Sequence, residues 1–266
     1  MSKVVLITGA SSGIGEVTAG YLLQKGYKVY GTSRNPKPTK HNFPLIQLDV
    51  TDIVSVKNAI QVILKKEGKI DVLVNNAGIG ITGPVEETPS DEIRKAFETN
   101  FFGAIEVMKS VLPEMRKQRS GLIINITSIA GYTGLPFRGI YSACKSALEI
   151  ITESIRMEVK DFGIKVTNLA PGDVATNIVA GRYHTPIFDK SPYKEVYQIN
   201  LDLMNDHVSG GSDPIEMAVA IEKIIGTSDP KIHYKVGSFM QKFSIILKRM
   251  LPDKVYEKLV MNYYQM

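Results

Sequence analysis

The chain contains few of the residues that build disulfides and metal sites. Cysteine occurs once, at Cys144, so no intrachain disulfide can form, and we assign this thiol no chemical role. Histidine occurs at positions 41, 184, 207 and 233, a scatter that matches no familiar zinc spacing. We therefore expect neither a disulfide framework nor a metal site.

Long apolar runs and blocks of one charge are also missing. No window approaches the roughly 20 apolar residues that cross a bilayer. The first apolar stretch, residues 4–7, is far shorter than a signal-peptide core and runs into a glycine turn. We therefore expect a cytoplasmic protein with no transmembrane segment. The formal net charge of +5 is spread along the chain, so nucleic acid is not an expected partner.

The pattern of apolar residues predicts an α/β fold. With 266 residues, 44% of them hydrophobic, one domain over 1–266 can bury a sizeable core. Short apolar runs typical of strands occur at 4–7, 28–32, 45–48, 72–75, 122–127, 164–169 and, less clearly, 232–236. Stretches of helical period lie between them, near 14–25, 52–66, 90–118, 140–161 and 213–226. Strands that are apolar at nearly every position indicate a doubly wound parallel sheet with helices on both faces.

A glycine-rich turn follows the first strand, in the octapeptide TGASSGIG at residues 8–15. Glycines at 9, 13 and 15 let the chain turn sharply, bring backbone amides close to a diphosphate and pack the next helix on the strand. The spacing differs from G-x-G-x-x-G, and no Gly-Lys-Ser/Thr follows, which excludes a P-loop. By itself the turn leaves two interpretations open, a dinucleotide site or a structural connection.

Further motifs occur in the order and spacing of the short-chain dehydrogenase/reductase family, which the chain resembles over about residues 3–176. They are Thr8-Gly9-x-x-x-Gly13-x-Gly15, Asn75-Asn76-Ala77-Gly78, Asn100, Ser128, Tyr141-x-x-x-Lys145 and Pro171-Gly172. Residues 134–137 and the long C-terminal extension look most like the 17β-hydroxysteroid and retinol dehydrogenase branch. The resemblance implies a Rossmann-type sheet of about seven strands in the order 3-2-1-4-5-6-7. It also implies an oxidoreductase that is a homodimer or homotetramer.

The candidate catalytic residues are Asn100, Ser128, Tyr141 and Lys145. Tyr141 and Lys145 are four apart in a predicted helix, so they share one face. A free phenol has a pKa near 10, so it needs a nearby positive charge to exchange protons readily at neutral pH. The resemblance implies that Tyr141 is the acid/base, Ser128 orients the substrate oxygen, Lys145 tunes the phenol and binds the nicotinamide ribose, and Asn100 relays protons through a water. Taken singly, each residue also has a plain structural interpretation.

The second strand ends without the acidic residue that would bind an unsubstituted ribose and repel a 2′-phosphate. It ends in Ser33 and Arg34, with Lys37 and Lys40 following, which supplies a hydroxyl and a guanidinium for a phosphate. NADP(H) is therefore predicted in preference to NAD(H). The alternative is that Arg34 is only a solvated loop residue.

The predicted cofactor contacts extend along the whole site. In the family's pattern Asp49 and Val50 would meet the adenine, residues 76–78 would form the floor under its ribose, and residues 171–176 would hold the nicotinamide half. The full set is Gly9, Ser11, Ser12, Gly13, Ile14, Gly15, Ser33, Arg34, Asp49, Val50, Asn76, Ala77, Gly78, Tyr141, Lys145, Pro171, Gly172, Val174 and Thr176.

Two later segments bear on the substrate. Residues 176–212 lack a clear period and form a predicted lid over the active site. Its apolar side chains either wrap a lipophilic carbonyl such as a steroid, retinoid or aromatic ketone, or pack among themselves. These side chains are at positions 178, 179, 183, 187, 188, 193 and 197. Residues 239–266 form an amphipathic, cationic extension. It could seal the substrate mouth, join a subunit interface or lie on an anionic membrane, with ordinary packing favoured over membrane contact. A different class of function, a dinucleotide-binding sensor or scaffold without turnover, is the alternative to an enzyme.

Overall fold

The computed structural model describes residues 2–37, 41–176 and 181–266. Its strands are β1 (Val4–Ile7), β2 (Lys28–Ser33), β3 (Leu45–Gln47), β4 (Val72–Asn75), β5 (Ile81–Thr82), β6 (Gly121–Ile126), β7 (Ile164–Pro171), β8 (Tyr183–His184) and β9 (His233–Val236). Its helices are α1 (Gly13–Gln24), α2 (Ile53–Glu67), α3 (Ser90–Phe97), α4 (Gly103–Gln118), α5 (Gly139–Glu158), α6 (Lys194–Ser209), α7 (Pro214–Gly226), α8 (Phe239–Met250) and α9 (Asp253–Tyr263).

Seven strands form one parallel sheet in the order β3-β2-β1-β4-β6-β7-β9. Counted within this sheet alone, the order is 3-2-1-4-5-6-7, which confirms the predicted doubly wound topology. The chain reverses its direction of travel across the sheet between β1 and β4. In such sheets ligands bind at this reversal point, outside the carboxyl ends of the strands.

The alternation of side chains along β1 assembles a core on each face of the sheet. Val4 and Leu6 belong to the apolar cluster that includes α2, α4 and α5, whereas Val5 and Ile7 belong to the cluster that includes α1 and α7. All four side chains are fully buried, because both faces of the strand are covered.

Three features differ from the sequence-based prediction. The stretch at 90–118 is interrupted by a π-helical turn at Glu98–Phe102 between α3 and α4. The segment 176–212, which has no clear period, contains α6, and β5 and β8 pair as a separate two-stranded sheet. Strands of two residues carry no periodic signal, and the buried side of α6 includes a polar residue, Asn200, between Tyr197 and Met204. Of the helices in the described ranges, none has the length and apolar character needed to cross a membrane.

Candidate active site

A cavity of about 550 Å³ opens at the carboxyl ends of β1, β4, β6 and β7. Every predicted site residue lines it except Gly15. The cavity therefore brings together the glycine turn, the ends of β2 and β3, and the four candidate catalytic residues. These groups come from well-separated parts of the sequence and meet because the parallel strands all end at this edge.

The glycine turn needs glycine for two different reasons. Gly9 and Gly13 have φ of +65° and +57°, in the left-handed region that favours glycine. At Gly15 the reason is space, because a Cβ there would lie 2.5 Å from the Gly9 carbonyl oxygen and 2.6 Å from Asn76 Nδ2. Gly15 thus allows α1 to pack closely on the turn, and it does so from outside the cavity lining.

The turn is fixed to the end of β4 by a hydrogen-bonded link between Thr8 and Asn76. Thr8 Oγ1 accepts from the backbone amides of Asn76 and Ala77, each at 3.0 Å. Asn76 Nδ2 donates to the carbonyl oxygens of Thr8, at 2.9 Å, and Gly9, at 3.1 Å. The hydroxyl of Ser12, before α1, does not cap that helix. The first-turn amides of α1 therefore keep their positive field at the cavity.

Lys145 and Asn100 are held in place near Tyr141. Lys145 Nζ donates to the carbonyl oxygen of Ile126 at 2.9 Å and lies 5.9 Å from the centre of the Tyr141 ring. Asn100, on the π-helical turn, accepts from the Ile79 amide at 3.0 Å and donates to the Ile79 carbonyl at 2.9 Å. Both Lys145 and Asn100 are buried. Their orientations are fixed by backbone groups, which is what a preorganised site requires.

Gly78 lies between Asn100 and Lys145. A Cβ at this position would be 2.7 Å from Asn100 Oδ1 and 3.5 Å from Lys145 Nζ. The absence of a side chain at Gly78 therefore lets the two polar groups share one small volume.

Ser128 follows β6 on the wall of the same cavity. Its Oγ accepts from the Ala130 amide at 3.1 Å, as the cap of a short 3₁₀ turn at Ile129–Tyr132. This bond uses the hydroxyl as an acceptor, so its proton remains available to donate to another oxygen.

At the far end of the cavity, Ser33, Arg34 and Asp49 line the wall. Asp49 Oδ1 accepts from the amide and the hydroxyl of Thr51, at 3.0 and 2.8 Å, so its carboxylate closes a local turn. Arg34 is exposed, and Lys37 is exposed as well but does not line the cavity. Lys40 lies outside the described residues. Arg34 is therefore the cation that this wall offers within the described part of the chain.

Comparisons with known proteins agree with this arrangement. The family model for short chain dehydrogenases matches residues 3–186. The chain belongs to the short-chain dehydrogenase/reductase family. A 3-ketodihydrosphingosine reductase from Bacteroides thetaiotaomicron is 38% identical over 263 residues, covering 98% of each chain. These two findings confirm the resemblance noted in the sequence and make the protein an oxidoreductase of this family.

Solved structures give the same result for the fold. A short-chain dehydrogenase from Streptomyces avermitilis is 31% identical, with a TM-score of 0.85 over 100% of this chain and 97% of that one. The structure of ElxO with NADP bound is 32% identical, with a TM-score of 0.70 over 88% of this chain and 98% of that one.

In this short-chain dehydrogenase/reductase, four charged residues of the cavity were not predicted as site residues: Lys95, Arg138, Asp173 and Arg182. Arg138 could have been found, because it precedes Tyr141 by three residues at the start of α5. No local sequence pattern around Arg182 predicted a place for it in the site. It reaches the site because β8, which follows it directly, pairs with β5 beside Gly80.

The sequence left open whether the apolar side chains of the lid, residues 176–212, wrap a substrate or pack among themselves. Tyr193 and Tyr197 show what two of these side chains contact. The Tyr197 hydroxyl is buried and donates to the Thr82 carbonyl at 3.0 Å, and its ring lies 5.2 Å from that of Phe137. The Tyr193 hydroxyl donates to Glu86 at 2.6 Å. Both tyrosines thus contact residues outside the lid, so these contacts join the lid to the rest of the domain and form no separate core within it. Ile178 and Val179 lie outside the described residues.

Behind Ser128 lies a buried carboxyl group that sequence reasoning also missed. Glu149, one turn after Lys145 on α5, accepts from the Thr127 hydroxyl at 2.9 Å. Burial raises the pKa of Glu149 to about 7, despite the opposing effect of hydrogen bonds from Thr127 and Tyr132 and of the charge on Lys235. Burial and the neighbouring Glu149 also raise the pKa of Tyr132. Glu149 does not line the cavity, so it belongs to the support of the site.

Proposed function

We propose that the protein is an NADP(H)-dependent oxidoreductase that interconverts a ketone and a secondary alcohol on a lipophilic substrate, such as a steroid, retinoid or aromatic carbonyl. One observation carries the proposal. Tyr141, Lys145, Asn100 and Ser128 line the same cavity as a glycine turn built for a diphosphate. A scaffold that only bound a dinucleotide would not require this set of proton-handling groups.

The shape and chemistry of the cavity fit a dinucleotide. The glycine turn and the start of α1 lie between the Arg34 end and the Tyr141 end, as a diphosphate linking two nucleosides requires. Ser33 and Arg34 would hold a 2′-phosphate, and no acidic side chain follows β2 to repel it. Asp49 and Val50 would meet the adenine, and residues 76–78 would lie under its ribose. Pro171, Gly172, Val174 and Thr176 would hold the nicotinamide half.

When bound, the nicotinamide supplies the hydride for reduction, or accepts it for oxidation, at its C4. Tyr141 donates its phenolic proton to the substrate oxygen during reduction and recovers a proton from the alcohol during oxidation. The Ser128 hydroxyl donates to the same oxygen and fixes its position. The Lys145 ammonium group favours the phenolate by its charge and binds the nicotinamide ribose, and Asn100 links it to solvent through a water.

Apolar side chains support a substrate with a lipophilic body. Ile79, Ile81 and Val174 line the cavity with the polar groups named above. An apolar wall with a few convergent polar groups is typical of a small-molecule site. The protein would act as a homodimer or homotetramer, the assemblies common in its family, and light scattering after size-exclusion chromatography measures this directly.

The test is NADPH consumption with a panel of steroid, retinoid and aromatic ketones, comparing the wild type with Tyr141→Phe. The wild type should turn over at least one ketone. The variant should lose roughly 10²- to 10⁴-fold in kcat, because it lacks the acid that protonates the developing alkoxide. Its Kd for NADPH should change little.

Tyr21→Phe is the matched control, since Tyr21 lies on α1 outside the cavity lining. Equal rates for Tyr141→Phe and the wild type would contradict the mechanism. NADPH binding without turnover of any ketone would favour the sensor or scaffold.

A further inference from the structure

We propose that Arg182 and Arg138 form an oxyanion subsite beside Tyr141, and that the substrate carries a carboxylate or phosphate group in addition to its carbonyl. This inference rests on the proposed function and names a second chemical feature of its substrate. It goes beyond a purely lipophilic ligand, because two arginines at the reacting end of the cavity select for negative charge.

Arg182 is a half-buried cation with an unused donor. Its Nη1 is shielded from solvent and, among the described residues, has no hydrogen-bond partner. The side chain lies against Gly80, where an added Cβ would be 2.9 Å from Arg182 Cγ. A buried donor without an acceptor costs free energy, and a guanidinium in a protein stays protonated. A ligand oxyanion in the cavity would provide the missing acceptor.

Arg138 adds a second positive charge at the same place. Its guanidinium carbon lies 5.8 Å from the centre of the Tyr141 ring, and both arginines line the cavity. Burial lowers the pKa of Arg182 most, and the charge of Arg138 lowers it further. The two cations therefore repel each other across a partly dry volume, and an anion between them would relieve the repulsion.

The protein itself supplies little to neutralise these charges. Within the described ranges, the buried Nη1 of Arg182 has no hydrogen-bond partner, acidic or neutral. Asp173 is the acidic residue on this wall whose charge acts on Arg182, and its Oδ2 accepts from Gln241 Nε2 at 2.7 Å. One carboxylate beside two guanidinium groups leaves a net positive charge, which a ligand oxyanion would balance.

The position of the pair points to substrate and not to the cofactor diphosphate. The diphosphate belongs at the glycine turn, where Gly13 faces Thr176. Arg182 instead packs on Gly80, in the segment leading into β5, and Tyr141 is among the groups whose charge acts on the pKa of Arg182. An anionic group held there would lie near the reacting carbonyl, which Tyr141 contacts.

The experiment uses full-length protein, NADPH and aryl ketones that carry a carboxylate or a phosphonate at increasing distance from the carbonyl, each paired with its neutral methyl ester. The quantity measured is the ratio of kcat/KM for the acid to that for its ester. In the wild type the best acid should exceed its ester by about tenfold or more. In Arg182→Met this ratio should fall by roughly tenfold or more, because the charge-assisted hydrogen bonds are lost. The two acid series distinguish carboxylate from phosphate recognition.

Arg116→Met is the matched control. It removes the same charge from an exposed position on α4, where the guanidinium lies over Phe162, away from the cavity lining. Its ratio should stay within about twofold of the wild type. Equal acid-to-ester ratios in the wild type and Arg182→Met would overturn the subsite. So would an effect of Arg182→Met that is confined to a higher KM for NADPH, since Arg182 would then contact the cofactor and not the substrate.

A binding measurement separates this inference from the proposed function. Calorimetry of benzoate and phenyl phosphate with NADPH-loaded protein should show binding that weakens by about tenfold in Arg182→Met. If no ketone is reduced while this binding depends on Arg182, the proposed function fails and the subsite stands. If esters are reduced but the acids neither bind nor react better, the subsite fails and the function stands.

Discussion

Lys145 shows how single contacts shape the site. Its ammonium group donates to the Ile126 carbonyl, and this bond keeps the charge near the Tyr141 ring. The same group lies close to Gly78, where any side chain would intrude on Asn100. The proposed chemistry therefore depends on a lysine held by a backbone carbonyl, a tyrosine one turn earlier on α5, and a glycine that leaves room for Lys145 and Asn100.

The proposed preference for NADP(H) over NAD(H) rests at the residue scale on Arg34. Replacing it in Arg34→Ala should lower kcat/KM for NADPH by about tenfold or more, because a guanidinium bond to a phosphate dianion is lost. The same change should leave kcat/KM for NADH nearly unaltered. Steady-state kinetics with both cofactors measures this.

Lys37→Ala is the control for that change, since Lys37 is also exposed but does not line the cavity. Its effect on NADPH use should be much smaller. Parallel losses with NADH and NADPH in Arg34→Ala would contradict the assignment of a 2′-phosphate site.

Residues within one motif could be found from the sequence, whereas residues brought in by distant pairing could not. Tyr141 and Lys145 share a helix, so their proximity follows from spacing alone. Arg182 enters the cavity through the pairing of β8 with β5, which links residues about a hundred positions apart. No local pattern around Arg182 indicates that contact.

At the scale of secondary structure, α1 packs closely on the glycine turn. Substitutions at two glycines of this helix, Gly15 and Gly20, test whether this close packing matters. Gly15→Ala should destabilise the protein by roughly 1–3 kcal/mol, because its Cβ would overlap the Gly9 carbonyl and Asn76. Gly20→Ala should be neutral or stabilising by up to about 1 kcal/mol, since nothing lies within 4 Å of its added Cβ and alanine favours helix. Urea unfolding of both variants measures the difference.

The two substitutions should also differ in cofactor affinity. Gly15→Ala should weaken NADPH binding by moving the turn, and Gly20→Ala should not. Similar stability and similar Kd for the two variants would show that the close packing of α1 on the turn is unimportant.

The main elements could be predicted because their signals are local and repeated. Buried parallel strands are apolar at each position, and the helices between them have a clear period. α6 escaped prediction because Asn200 interrupts its buried side, where its amide donates to the carbonyls of Val196, at 2.8 Å, and Tyr264, at 3.1 Å. One of these two bonds comes from the end of the chain, which local sequence does not reveal.

At the scale of the whole molecule, burial of Glu149 links stability to pH. Its pKa is about 7 in the folded protein, against an ordinary value of 4.5 for an exposed glutamate. Between these values the folded state binds a proton that the unfolded state lacks, so this residue's contribution to stability is full below pH 4.5 and is lost as pH rises through 7. The loss amounts to roughly 3 kcal/mol at most.

Glu149→Gln should therefore remove this dependence while keeping an oxygen for the Thr127 hydroxyl. Relative to the wild type, its free energy of unfolding should increase from pH 5 to pH 8, measured by urea titration at each pH. Glu158→Gln, at the exposed end of α5, is the control and should follow the wild type. If the difference in free energy of unfolding between Glu149→Gln and the wild type stays constant from pH 5 to pH 8, Glu149 is ionised in the folded protein.

The central claim is that hydride passes directly between the nicotinamide and a substrate carbon beside Tyr141. The most direct measurement uses NADPH deuterated on one or the other face of C4, with mass spectrometry and NMR of the alcohol produced from a ketone that the wild type reduces. The account predicts deuterium on the carbinol carbon from one face only, with the label absent from solvent. Label released to water, or alcohol formed without label from either isotopomer, would contradict it.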